Sequence, residues 1–112
     1  MIRVRLIAAL CSLLVGAAAA RVTEAASAAD LETMSRMALL LGRAAGCGLD
    51  TQRAVKAIGA WLDQTFPPGS AEHTRYLQAF GADVRRHAQQ QQNGETPDSC
   101  ADVASALNAV DW

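Results

Sequence analysis

The chain has 112 residues, 51% of them hydrophobic and 19% charged, and its 10 basic and 11 acidic residues give a formal net charge of −1. This length fits one small domain and excludes a doubly wound dinucleotide fold, a kinase and a TIM barrel. The near-neutral charge argues against a nucleic-acid partner, since such modules show a basic patch or a high pI. The apolar content argues against intrinsic disorder.

Residues 1–28 have the pattern of a secretory signal peptide and a short spacer. Two arginines lie among the first five residues, and the uncharged run over 6–20 ends in small residues. Two A-x-A patterns leave cleavage after Ala20 or after Ala28 open. A spanning helix needs about 20 apolar residues, so we expect no stable membrane anchor after cleavage; retention of the segment as an anchor is the alternative. Cleavage after Ala20 removes two of the 10 basic residues and none of the 11 acidic ones, which gives a net charge of −3.

Two cysteines, Cys47 and Cys100, follow the predicted leader. An even number of cysteines in a small exported protein indicates a disulfide, and two cysteines allow only one pairing. By the chain-entropy model, a bond between residues so far apart stabilises the fold by about 4 kcal/mol. A free or redox-active thiol pair is the less favoured alternative, because the chain has no C-x-x-C motif.

Helical periodicity predicts the first two of four helices. The first runs from about 29 to 45, with Asp30 as its N-cap and glycines around Cys47 at its end. The second runs from about 51 to 66, with Asp50 as its N-cap and a Pro-Pro-Gly stop after it. Gly59 within it would allow another helix to approach closely. The predicted apolar faces comprise Leu31, Met34, Met37, Ala38, Leu40, Leu41, Ala44, Ala45, Val55, Ile58, Leu62 and Phe66.

The third predicted helix covers about 71–92, capped by Ser70, and the fourth covers about 97–110, with Thr96 as N-cap and Pro97 in its first turn. Their apolar faces comprise Tyr76, Leu77, Phe80, Val84, Ala88, Cys100, Val103, Leu107 and Val110. No alternating pattern indicates a strand. We therefore expect an all-α fold, a small four-helix bundle-like domain over 29–112 with antiparallel neighbours and one disulfide.

The sequence contains no recognisable catalytic or metal-binding motif: no H-E-x-x-H, G-x-S-x-G, P-loop or EF-hand loop. The two histidines, His73 and His87, are 14 residues apart on one helix, about 21 Å, so they cannot share a metal. They either border the core or sense pH. We expect no catalytic, cofactor-binding or metal-binding residue, and a protein that is not an enzyme.

Trp112, the last residue of the sequence, either packs on the core or contacts a partner, and Trp61 is the second candidate for partner contact. Asp98 and Asp102 are spaced as an i, i+4 pair, which predicts a solvated face near a helix N-terminus, with half of a cation site as the alternative. Met34 and Met37 suit an adaptable contact surface, although core filling is the commoner use.

The size, the predicted leader and the single long-range disulfide resemble those of periplasmic acid-stress chaperones of the HdeA type. The same general form is found in helical immunity proteins of interbacterial toxins. The resemblance is one of size and architecture, and no site residue is carried over from it.

Three functions are therefore expected. The leading one is a small exported helical protein, periplasmic or secreted, that binds another cell-envelope protein of a Gram-negative bacterium. The first alternative is an acid- or stress-responsive chaperone of the HdeA type, whose 11 carboxylates lose their charge at low pH. The second is a small-ligand-binding helical module with a cavity ringed by Met37, Trp61 and Phe80.

Overall fold

A computed structural model describes residues 26–112 of the chain. This part is all-helical: α1 spans Ala28–Gly46, α2 Gln52–Thr65, α3 Ala71–Gln92 and α4 Cys100–Ala109, with no strand among the described residues. One core cluster draws buried side chains from all four helices. The predicted signal peptide falls mostly on residues outside the described ones. None of the four helices is long and apolar enough to cross a membrane.

The helix starts follow the capping rules but use partly different residues from those predicted. Ser70 caps α3 as expected, its hydroxyl accepting a hydrogen bond from the backbone N–H of His73 at 3.1 Å. The N-cap of α1 is Ser27, so the prediction of Asp30 was wrong; Asp30 instead donates its backbone N–H to the Ser27 hydroxyl.

The start of α2 lies one residue later than predicted. Its first residue is Gln52, so Thr51 occupies the N-cap position in place of Asp50. The Thr51 side chain makes no capping hydrogen bond. The Asp50 carboxylate still serves the helix start, because it accepts a hydrogen bond from the backbone N–H of Gln52 at 3.1 Å.

The start of α4 differs most from expectation. We predicted a helix from Pro97 with Thr96 as its cap, but α4 begins at Cys100 and Ser99 caps it. The Thr96 hydroxyl is engaged elsewhere, donating to the side-chain oxygen of Gln91 on α3. A proline in the first helical turn and a proline in a loop look alike in sequence, and here Pro97 lies in the loop before α4.

Helix α1 is central, because each of the other three helices packs against it. Gly42 of α1 lies against Val84 and His87 of α3, and Gly46 lies against Ala88 one turn further along. The two helices therefore run in the same direction, and their backbones touch where α1 has no side chains. A Cβ atom at position 42 would lie 2.5 Å from the His87 Cβ and 2.6 Å from the Val84 carbonyl oxygen.

The prediction that Gly59 permits a close helix approach was wrong, since a Cβ atom placed there would meet nothing within 4 Å. The predicted core was partly right. Half of the predicted large apolar residues are buried and others are partly buried, but Val55 is 52% exposed, and three more large apolar residues are also exposed. They are Leu31, Leu77 and Val110.

Candidate functional site

The predicted disulfide is confirmed. Cys47, directly after α1, is bonded to Cys100, the first residue of α4, with their Cα atoms 5.6 Å apart. Cys47 packs against the core, whereas Cys100 is exposed. The bond indicates an oxidising compartment.

A polar network surrounds this bond and holds the loop between α3 and α4. Arg43 of α1 forms an ion pair with Asp98. The Gln91 amide donates to the Asp98 carbonyl at 3.0 Å and contacts the Cys100 sulfur at 3.8 Å. Gln91 therefore anchors the loop between α3 and α4.

Beside this corner lies an open groove between α1 and α4, which we call the α1–α4 groove. Its volume is about 290 Å³. Its apolar lining comes from Leu39 and Leu40 of α1 and from Val103 and Ala106 of α4. Because both helices contribute to the lining, the groove exists only while α4 is docked on α1.

The charged residues of the α1–α4 groove are divided by sign. Arg36 and Arg43 lie on the α1 side, and Asp98 and Asp102 lie on the side of α4 and its preceding loop. Arg43 and Asp98 pair with each other, and Arg36 pairs with Glu32 one turn earlier on α1. No ion pair involving Asp102 is found among the described residues, so this carboxylate can accept a partner's cation.

Sequence reasoning missed this groove. Leu39 was left out of the predicted core face, yet it belongs to a run of three leucines, Leu39 to Leu41, that wraps around more than one side of the helix. A helix that is apolar beyond one stripe must bury two faces or leave one exposed. That run was the signal that α1 has a second apolar side.

Trp112 packs back on the fold. Its indole N–H donates to the Leu107 carbonyl at the end of α4 at 3.1 Å, and the ring is partly buried. It also lines a wide, shallow depression of about 420 Å³ on α2, beside Arg53 and Lys56. This depression shares no lining residue with the α1–α4 groove.

Trp61 belongs to an aromatic cluster where α2 meets α3. Its ring meets the edge of Phe66 at a centroid distance of 6.5 Å, and Phe66 stacks on Tyr76 at 4.6 Å. The Arg75 guanidinium lies over the Tyr76 ring. The two tryptophans proposed for partner contact thus have different partners, an aromatic cluster for Trp61 and the Leu107 carbonyl for Trp112.

The two histidines lie in different surroundings. The His73 Nε2 is 2.8 Å from an oxygen of Asp63, and its side chain is only 16% exposed, so it joins α3 to α2. His87 is half-buried beside Gly42 at the α1–α3 contact. No group of three or more His, Cys, Asp or Glu side chains within residues 26–112 is placed to hold a metal ion.

Met37, Trp61 and Phe80, the residues proposed to ring a ligand cavity, all belong to or pack against the core cluster. Phe80 is a core residue, while Met37 and Trp61 are partly buried against that core. The α1–α4 groove and the depression beside Trp112 are lined by other side chains.

No family model, no curated protein and no solved structure matches this chain.

Proposed function

We propose that this protein is a small exported, non-enzymatic binding module that docks onto another cell-envelope protein through the α1–α4 groove. The observation that supports the proposal is the groove itself, an apolar channel open along two helices with charges of opposite sign on its two sides. Apolar grooves between helices are a recurrent means of holding an amphipathic segment. The disulfide supports an oxidising location such as the periplasm.

The size of the groove favours a protein partner over a small ligand. Its volume of about 290 Å³ lies at the lower limit of the roughly 300–1,000 Å³ typical of small-molecule sites, and it is open rather than enclosed. One apolar anchor side chain fits such a space, as at the centre of a protein interface. The partner segment we propose carries an apolar anchor with a basic residue on the side that faces Asp102.

Site-specific photo-crosslinking tests this proposal. A benzophenone amino acid replaces Ala106, an exposed alanine that lines the groove, in the full chain expressed in its native host. Matched chains carry it at Ala82, exposed on α3, or at Ala60, exposed beside Trp112. We expect one defined envelope protein to be crosslinked from position 106 and not from position 82.

A competing substitution provides the second readout. Ala106→Glu places a carboxylate in the apolar lining and should abolish capture of that protein, whereas Ala82→Glu should leave it unchanged. Crosslinking from position 60 alone would move the interface to the depression beside Trp112 and contradict the groove. Equal crosslinking from 106 and 82, or none from either, would contradict the proposed function.

A further inference from the structure

We infer that the Cys47–Cys100 disulfide is a redox-sensitive tie, whose reduction releases α4 and thereby dismantles the α1–α4 groove. We infer the release of α4 from the contacts between this helix and the rest of the fold. Its effect on partner binding rests on the proposed function.

Helix α4 is weakly secured apart from this bond. It has only 10 residues, and isolated helices shorter than about 12–15 residues are marginal in water. Among the four described helices its backbone packs against α1 alone, and only Val103 and Leu107 of its residues are buried. Loss of a constraint at its first residue therefore acts on a short helix that packs against one other helix.

The other contacts near the bond hold the preceding loop more than the helix. Gln91 and Arg43 both bind Asp98, two residues before α4 begins. The Asp98 side chain is 42% exposed, so solvent screens its ion pair with Arg43. None of these polar contacts reaches a residue of α4 beyond Cys100, so they hold the loop rather than the helix.

The bond is also reachable. Cys100 is exposed at the surface, while Cys47 lies partly buried against the core. A thiolate of a thioredoxin-type dithiol can attack the Cys100 sulfur, breaking the S–S bond and forming a mixed disulfide; Cys47 leaves as a thiolate and takes up a proton. The second thiol of the dithiol then attacks that mixed disulfide. Cys100 is released as a thiol, and the dithiol is oxidised to its own disulfide.

Hydrogen exchange on the full chain tests the release of α4. The protein is compared before and after reduction by a thioredoxin-type dithiol under native conditions. We expect amides in 100–109 to become the least protected of the fold, while those in 28–92 lose protection by a smaller factor. The fluorescence of Trp112, isolated by Trp61→Phe, should shift to longer wavelength because its ring loses its contact with Leu107.

A chain in which both cysteines are serine is the matched control. It should resemble the reduced protein and show no response to the dithiol. Persistence of α4 protection after reduction, simultaneous exchange throughout 28–109, or resistance of the folded protein to the dithiol would each overturn the switch.

Crosslinking from position 106 in both redox states tests the effect on binding. Strong crosslinking of the oxidised protein and its loss on reduction would support regulation of the groove. Release of α4 with unchanged crosslinking would overturn that regulation. Absence of crosslinking in both states would refute the proposed function, whereas hydrogen exchange would still decide the switch.

Discussion

Replacing Gly42 by alanine tests the close contact between α1 and α3. The added Cβ would lie 2.5 Å from the His87 Cβ and 2.6 Å from the Val84 carbonyl oxygen. Carbon atoms in contact prefer about 3.5 Å or more, so the helices must separate by about 1 Å. Overpacking costs about 1–3 kcal/mol, and the upper end applies because a backbone oxygen cannot rotate away. Alanine regains about 1 kcal/mol of helix propensity, so the net expected loss is about 2 kcal/mol.

Gly59→Ala is the matched control, since the same substitution in α2 meets nothing within 4 Å. It should stabilise the fold by up to about 1 kcal/mol through helix propensity alone. For a domain of this size 1 kcal/mol corresponds to about 4–8 °C in Tm, so thermal melts should show Gly42→Ala lowered by roughly 10 °C and Gly59→Ala raised by a few degrees. Equal or parallel shifts of the two variants would refute the close helix contact.

Three further perturbations have defined outcomes. Replacing both cysteines by serine should lower the free energy of unfolding by about 4 kcal/mol. Thermal melts under non-reducing conditions should then show a drop of at least about 15 °C in Tm. An unchanged Tm would show that the bond contributes little to stability. A chain starting at residue 29 lacks the Ser27 cap of α1. In urea titrations it should be about 1 kcal/mol less stable than a chain starting at residue 21. Equal unfolding midpoints would show that the Ser27 cap does not stabilise the fold. Trp112→Phe keeps an aromatic ring but removes the N–H that binds the Leu107 carbonyl, and should cost about 1 kcal/mol in the same titration; no change would mean that water replaces this bond without loss.

Much of the fold could be predicted from local sequence, because most helix ends here are determined locally. Ser70 before α3 and the Pro-Pro-Gly stop after α2 act within a few residues of themselves, and both predictions agree with the structure. The disulfide was predictable because two cysteines permit one pairing. The start of α4 was mispredicted because two capping residues, Thr96 and Ser99, precede it within four residues, and the proline after Thr96 favoured the wrong one.

The candidate site was harder to predict, since it depends on how the helices are arranged. Two of the helical glycines show this. A Cβ atom at Gly42 would meet the backbone of α3, and one at Gly59 would meet open space, yet their local sequences do not distinguish them. Val55 fits a helical stripe but faces solvent, because none of the four described helices covers that side of α2. Predicting the α1–α4 groove would have required knowing that α4 packs beside the second apolar side of α1. The leucine run indicated such a side but not what would cover it.

The parallel arrangement of α1 and α3 has a consequence for how fast the chain folds. Gly42 meets Val84 and Gly46 meets Ala88, so the tightest helix contact joins residues 42 positions apart, with all of α2 between them. Folding rates fall as contacts become more distant along the chain, because a longer loop must close before the contact is gained. A chain that emerges N-terminus first leaves the apolar surface of α1 without its main cover until α3 follows. Newly emerged chains are therefore exposed to aggregation until most of the domain is available.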